Sequence, residues 1–251
     1  MQGKNTKGRW AVICAAAVGL SGCAGGNTDS SVSVPGAEKT PSTITLEAGA
    51  GVLQDKPPLQ ALDTYLDGFH FYNGRMSGQM EAHHYCTALN EEVFQCAIFD
   101  GNTSRAKLMG VEYIISKRLF EGLPASEKQL WHSHAHEVKS GQLIAPGIPD
   151  VAETRLMEKL VGTYGKTWHT WHPEQGNPLP YGVPQLMMGF TADGQIDPQR
   201  VRERDSRMGV DSEAKKRARA RIETPAVDPG ADAWQKGRVW QIKDPTGEHA
   251  H

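Results

Sequence analysis

Glu81-Ala82-His83-His84-Tyr85-Cys86-Thr87-Ala88, then Leu89-Asn90-Glu91-Glu92, then Val93-Phe94-Gln95-Cys96-Ala97-Ile98-Phe99, is the stretch that decides the fold. The flanking runs read as short strands, and the polar segment between them reads as the connection of a hairpin. Paired symmetrically, they bring Cys86 opposite Cys96. A non-hydrogen-bonded antiparallel pair lies about 4.5 Å apart at Cα, within disulfide reach. A bridge there is worth up to about 3 kcal/mol for so short a loop. The other reading is two buried thiols, and a free-thiol count on the unfolded, unreduced chain separates the two. One face of the first run carries Ala82, His84, Cys86 and Ala88, opposed by Phe94, Cys96 and Ile98. That face is apolar, so His84 points into a core and needs a hydrogen-bond partner. Glu81, His83 and Tyr85 share the other face.

Working outward, residues 108–116 form a third strand-like run, on which Glu112 is a candidate partner for His84. Residues 68–72, 166–171 and 186–191 read as further strands. Helices are expected over residues 47–53, 126–139, 152–164, 198–208 and 212–222. Ser126 and Gln129 have capping-box spacing for the second of these, and Gly141 stands where a C′ glycine belongs. Gly165 is read as the end of the third. The expected fold is α+β: one domain over residues 45–222, an antiparallel sheet with helices packed on one side. Residues 24–44, rich in Gly, Ser, Thr and Pro, read as a flexible tether. Residues 223–251 read as a loosely ordered tail, with Trp234 and Trp240 as docking points and residues 238–243 as an added strand.

Eight of the ten histidines fall between residues 70 and 172. Trp131-His132-Ser133-His134-Ala135-His136-Glu137 is the densest group. On a helix, Leu130, Trp131, His134 and Val138 make an inward stripe, and His132 and His136 stand at i and i+4, a spacing that chelates metal. On a strand, all three histidines share a face. The order differs from the His-Glu-x-x-His of zinc proteases. Trp168-His169-Thr170-Trp171-His172 is a further group. The candidate ligand or metal site is Glu81, His83, His84 and Glu112 with His132, His134 and Glu137. Neutral imidazoles and carboxylates of that kind suit a divalent transition metal. The competing reading is a set of core-satisfying and surface histidines. No Gly-x-Ser-x-Gly or phosphate loop is present, Ser133 beside two histidines is not triad geometry, and a Cys86 or Cys96 nucleophile conflicts with the bridge.

The first residues give an address. Lys4, Lys7 and Arg9 precede an apolar run over residues 10–20, then Leu20-Ser21-Gly22-Cys23. That is the layout of an export signal, and its ending resembles the bacterial lipoprotein signal, in which the Cys is acylated. Residues 1–22 are expected to be removed and Cys23 to carry the lipid, giving a membrane partner through acyl chains. Ala24 after the Cys leans toward the outer membrane of a cell envelope. The whole chain carries 27 Lys and Arg against 29 Asp and Glu, a net charge of −2, and three of those bases lie in the signal. That balance argues against nucleic acid as a partner. The basic run over residues 200–221 fits a solvated helix face or one resting on anionic headgroups.

Phe69-His70-Phe71-Tyr72, Glu81-Ala82-His83-His84-Tyr85, Phe94-Gln95-Cys96-Ala97-Ile98-Phe99-Asp100 and Gly110-Val111-Glu112-Tyr113-Ile114-Ile115-Ser116 resemble the oil body-associated protein family. So do Leu130-Trp131-His132-Ser133-His134, Glu137-Val138-Lys139, Tyr164-Gly165-Lys166, Leu179-Pro180-Tyr181-Gly182-Val183-Pro184 and Arg204-Asp205. The resemblance spans roughly residues 46–215. It implies association with lipid surfaces and a domain of unknown function, with no established catalytic residue or cofactor. The family's His-x-His falls on His132 and His134, and its His-His on His83 and His84. Plant members tend to have Tyr at position 136 and often lack the Cys at 86. The expected function is a non-enzymatic envelope lipoprotein that acts at a lipid surface or binds an amphiphile; the alternative is a metal-dependent hydrolase with Glu81 or Glu137 as base.

Overall fold

The computed structural model describes residues 26–243; residues 1–25, with the expected signal and Cys23, and residues 244–251 lie outside the described residues. Seven strands follow one another: β1 (Thr64–Tyr72), β2 (Arg75–Asn90), β3 (Val93–Phe99), β4 (Leu108–Ile115), β5 (His132–Ser133), β6 (Tyr164–His169) and β7 (Gln185–Met188). The helices are α1 (Pro41–Leu53), α2 (Pro57–Gln60), α3 (Lys117–Glu121), α4 (Ala125–Lys128), α5 (Ala135–Ser140), α6 (Asp150–Leu160), α7 (Pro198–Met208) and α8 (Ser212–Ala218).

The sheet is not the open one expected, with helices along one side. β1 pairs with β2, β2 with β3 and β3 with β4; β4 then pairs with β6, β6 with β7, and β7 returns to β1, every pair antiparallel. Six strands therefore close into a barrel, and β5 extends it by pairing with the start of β6. Closure removes the sheet edges that an open sheet would leave unpaired. The β4–β6 seam needs close backbone approach. A Cβ on Gly110 would collide with the carbonyl of Trp168, and one on Gly165 with Glu112.

The register sorts each strand into two faces. Leu66, Gly68, His70 and Tyr72 point inward from β1, opposite His84, Ala82 and Met80 of β2. Cys86 stands opposite Cys96, and Cys96 opposite Glu112. Glu112 in turn faces Thr167, which faces Met187. The interior is thus mixed: apolar at its ends and polar at its waist. One end is stoppered by α5 and α6, whose Val138, Met157 and Leu160 pack with Leu66, Cys86, Cys96 and Ile114. Outward, Phe69 and Phe71 pack with Leu186, Met188, Phe190 and Ile196, under Val201 of α7 and Trp234.

Cys86 and Cys96 are bonded, with their Cα atoms 4.0 Å apart. A second interior tie lies on the outer wall. The fully buried Arg204 guanidinium of α7 donates to Asp67 at 2.7 Å, to the Gln142 carbonyl at 3.0 Å and to the Ser212 hydroxyl at 2.9 Å. It also lies 4.9 Å from the Phe69 ring centroid. Arg219 plays a matching part, donating to the carbonyls of Val138 and Leu143 and pairing with Glu153 at 3.1 Å. Two members of the basic run 200–221 are therefore internal clamps.

The segment read as one helix over 126–139 is broken into α4, β5 and α5, because the His132–Ser133 backbone pairs with β6. Gly165, read as a helix terminator, lies within β6. Residues 26–31, read as part of a tether, lie against the barrel: Gly26 N–H donates to the Arg207 carbonyl at 2.5 Å, and Thr28 exchanges bonds with Asn102. In the tail, Gln241 bonds both the N–H and the carbonyl of Leu186, although residues 238–243 form no strand.

Two outcomes follow from these ties. Cys86→Ala with Cys96→Ala lowers the unfolding free energy by about 2–3 kcal/mol in urea titration, since the bridge constrains a short loop of the unfolded chain. Arg204→Met costs more, about 3–5 kcal/mol, because it strands the buried Asp67 carboxylate; the double variant Arg204→Met, Asp67→Leu recovers part of the loss.

Candidate functional site

Glu112 projects from β4 into the waist of the barrel, and four imidazoles converge on its carboxylate. His84 Nε2 lies 2.9 Å and His70 Nε2 3.7 Å from one oxygen; His134 Nε2 lies 3.1 Å and His132 Nε2 3.5 Å from the other. Glu137, from the first turn of α5, brings a second carboxylate to 4.0 Å from His132 Nε2. All six residues are buried. β1, β2, β4, β5 and α5 each supply part of the set, so it exists only in the closed fold.

Outer partners orient the rings. His84 Nδ1 bonds the Ala82 carbonyl at 3.0 Å, and His134 Nδ1 bonds the Thr163 hydroxyl at 2.8 Å. His70 Nδ1 lies 3.4 Å from His169 Nε2. A carbonyl only accepts, so His84 carries its proton on Nδ1 and turns Nε2 toward Glu112. Backbone without side chains makes the room. A Cβ on Gly165 would come 2.8 Å from His134 Nε2 and 2.9 Å from His132 Cε1, and one on Gly189 would come 2.8 Å from the Glu137 carboxylate.

Burial sets the charge states. It pushes His132 and His169 down to about 3 and holds His70 well below the usual imidazole value. Burial raises Glu137 well above the usual carboxylate range, helped by the neighbouring Glu112 and Asp232 charges. Burial acts on Glu112 in the same sense, but bonds from His134 and His84 outweigh it and hold that carboxyl well below its usual value. The waist therefore sets His70 and His132, which burial keeps neutral, beside an ionised carboxylate. Among the described residues no Lys or Arg pairs with Glu112 or Glu137.

The candidate residues read from the sequence divide between two places. His84, Glu112, His132, His134 and Glu137 come together in the waist. Glu81 and His83 lie on the outer wall of β2, where His83 Nδ1 is 3.1 Å from Asp67 and 2.8 Å from the Tyr65 hydroxyl. Arg204 pairs with Asp67 there and Arg207 with Glu81, so that group has its own cations. His136 turns away from His132, toward Gln142 and Asp193, and the i, i+4 chelate does not form. His70 and His169 belong to the waist and were not among the candidates. The signal for His70 was available: Phe69 and Phe71 claim one face of a strand, which leaves His70 on the other. At the far end of the barrel a cleft of about 250 Å³ is lined by Tyr72, Arg75, His172, Gln185 and Gln241.

Gly165→Ala tests the packing of the waist. The added methyl competes with Glu112 for the same space, so the variant loses about 1–3 kcal/mol in thermal or urea unfolding. Gly147→Ala, where a methyl meets nothing within 4 Å, loses no more than its positive φ imposes.

Residues 56–223 match the family described as "Protein of unknown function (DUF1264)". Among curated proteins, the chain is 39% identical over 220 residues to oil body-associated protein 1B of Arabidopsis thaliana, covering 87% of this chain and 91% of that one. It is 42% identical over 215 residues to oil body-associated protein 1A of Zea mays, covering 85% and 90%. Oil body-associated protein 2A of Zea mays is 39% identical over 208 residues, covering 81% and 82%. No solved structure matches. The matched residues include every strand of the barrel, and the chain belongs to the oil body-associated protein family.

Proposed function

We propose that this chain is a lipid-anchored, non-enzymatic protein of the bacterial cell envelope whose barrel works at a lipid surface, with the outer membrane as its site. Helix α1 carries the reading. It exposes Ile44, Leu46, Val52 and Leu53 at 55, 71, 86 and 84%, buries no residue and holds a single charge, Glu47. Fully covering such side chains is worth about 1.5–3 kcal/mol each; Leu46 and Leu53 stand on one side of the helix and Ile44 on the other, so α1 is apolar around much of its girth. At about 1.5 Å per residue the helix is about 20 Å long, short of a bilayer's hydrocarbon core. Among the described residues no helix is long and apolar enough to cross a membrane. A helix of this kind rests in the interface instead.

The names of the plant relatives point the same way, since they are called oil body-associated. The lipoprotein-like ending at Cys23 adds geometry. Gly26 is already bonded to α7 through the Arg207 carbonyl. A lipid on Cys23 therefore leaves a leash of about 10 Å, at roughly 3.5 Å per residue, and holds the barrel against the headgroups. The hydrolase alternative has less support. The space beside the waist, between His84, Glu112, Glu137 and Leu160, measures about 10 Å³, enough for one water and no larger substrate.

Vesicle flotation tests the reading. The full chain carrying Cys23→Ser, which cannot be acylated, floats with phosphatidylglycerol–phosphatidylethanolamine vesicles at low salt. Leu46→Glu, Val52→Glu and Leu53→Glu together reduce the floated fraction about tenfold or more, leaving the unfolding midpoint unchanged. A Cys23→Ser chain that stays at the bottom of the gradient overturns the lipid-surface role. An unsubstituted chain whose mass shows no acyl chains overturns the anchor.

A further inference from the structure

We propose that the waist of the barrel is a structural metal centre, in which His70, His84, His132, His134 and Glu112 bind one divalent transition-metal ion, with Glu137 as the second carboxylate beside it. This goes beyond the lipid-surface reading and does not depend on it.

The distances carry the first part. A metal with ligands at about 2.0–2.2 Å sets neighbouring ligand atoms about 3–3.5 Å apart. The four Nε2 atoms lie 2.9, 3.1, 3.5 and 3.7 Å from the Glu112 oxygens. The longer two exceed useful hydrogen bonds, yet fit ligands that share one ion. Two overlapping sets in the waist, His70 with Glu112 and His132, and His132 with His134 and Glu137, keep one donor atom of each member within 4.8 Å of the others.

Unmet chemistry carries the second part. Both ring nitrogens of His132 are buried with no hydrogen-bond partner, an unfavourable state for polar groups. A metal on Nε2 removes half of that deficit. His84 gives Nδ1–H to the Ala82 carbonyl, which aims its Nε2 at a carboxylate oxygen 2.9 Å away. A proton or a metal ion stands between those two atoms, and a metal there also reaches the orphaned Nε2 of His132. On the outer wall Arg204 and Arg207 stand against Asp67 and Glu81; at the waist a divalent cation takes that place beside Glu112.

The outer partners complete it. The Ala82 carbonyl, the Thr163 hydroxyl and His169 hold the Nδ1 sides of His84, His134 and His70, as partners on the far ring nitrogen orient metal-bound imidazoles. The donor set selects the ion class: imidazole with carboxylate suits zinc, iron, copper or nickel better than magnesium or calcium. With every ligand from the protein and space for at most one water, the centre is a tie between the barrel wall and the β5–α5 segment.

The test is elemental analysis, with native mass spectrometry, of the full chain made without a His tag and purified without chelator. Samples come from cells grown in excess zinc, iron, copper or nickel. The expected result is one ion per chain, and X-ray absorption of that sample showing at least three imidazoles. Glu112→Gln and His134→Asn each lower bound metal about tenfold or more, while His136→Ala, outside the waist, retains it. Should the first two fail to fold, the imidazole count on the unsubstituted chain decides. A chain holding none of the four metals overturns the proposal. So does a bound metal with fewer than three imidazoles, or one that persists in folded Glu112→Gln and His134→Asn chains.

Discussion

A carboxylate held in the middle of a barrel dominates this structure. Glu112 has no exposed surface to speak of and no Lys or Arg partner among the described residues. An ionised group so placed is tolerated only when its surroundings supply compensating polarity. Much else follows from meeting that requirement. β1 delivers His70 and β2 delivers His84. The chain breaks a potential helix at His132–Ser133 so that two more imidazoles arrive from the rim, and glycines at 165 and 189 clear the space they need. The apolar ends of the interior, capped at one side by α5 and α6, keep water away from the set.

Most of the strings that resemble the family converge on this point. Phe69-His70-Phe71-Tyr72 contributes His70, the Glu81–Tyr85 string His84, and the Gly110–Ser116 string Glu112. Leu130-Trp131-His132-Ser133-His134 contributes two imidazoles, Glu137-Val138-Lys139 the second carboxylate, and Tyr164-Gly165-Lys166 the glycine that clears the way. Arg204-Asp205 lies elsewhere, clamping α7 to the barrel through Asp67 and to α8 through Ser212. Segments distant in the chain are thus united by one centre and one clamp.

Much of this was legible before folding was known. Period-two alternation located the strands, and the symmetric hairpin placed Cys86 beside Cys96 and turned His84 inward toward Glu112. Closure was not legible, because alternation looks the same in an open sheet and in a barrel, and the β4–β6 seam depends on two glycines whose role is visible only across the strands. Residues 126–139 misled for a physical reason: helix-favouring Ser126-Glu127-Lys128-Gln129 and Glu137-Val138-Lys139 flank a short stretch whose backbone gains more from pairing with β6 than from helical bonds. His83 and His84 are adjacent, so the strand sends them to opposite faces, and a site that held both could not form on either face.

The disulfide also has a history written into it. Cys86 and Cys96 face the interior, under Val138, Met157 and Leu160 of the stopper. Once that end is sealed, neither oxidant nor reductant reaches the sulfurs without first lifting α5 and α6. With the stopper in place the bond is therefore shielded from whatever redox conditions the folded protein meets. Its presence in an isolated chain would act as a record of the compartment where folding took place, one that later handling in thiol buffers would not erase while the protein stays folded.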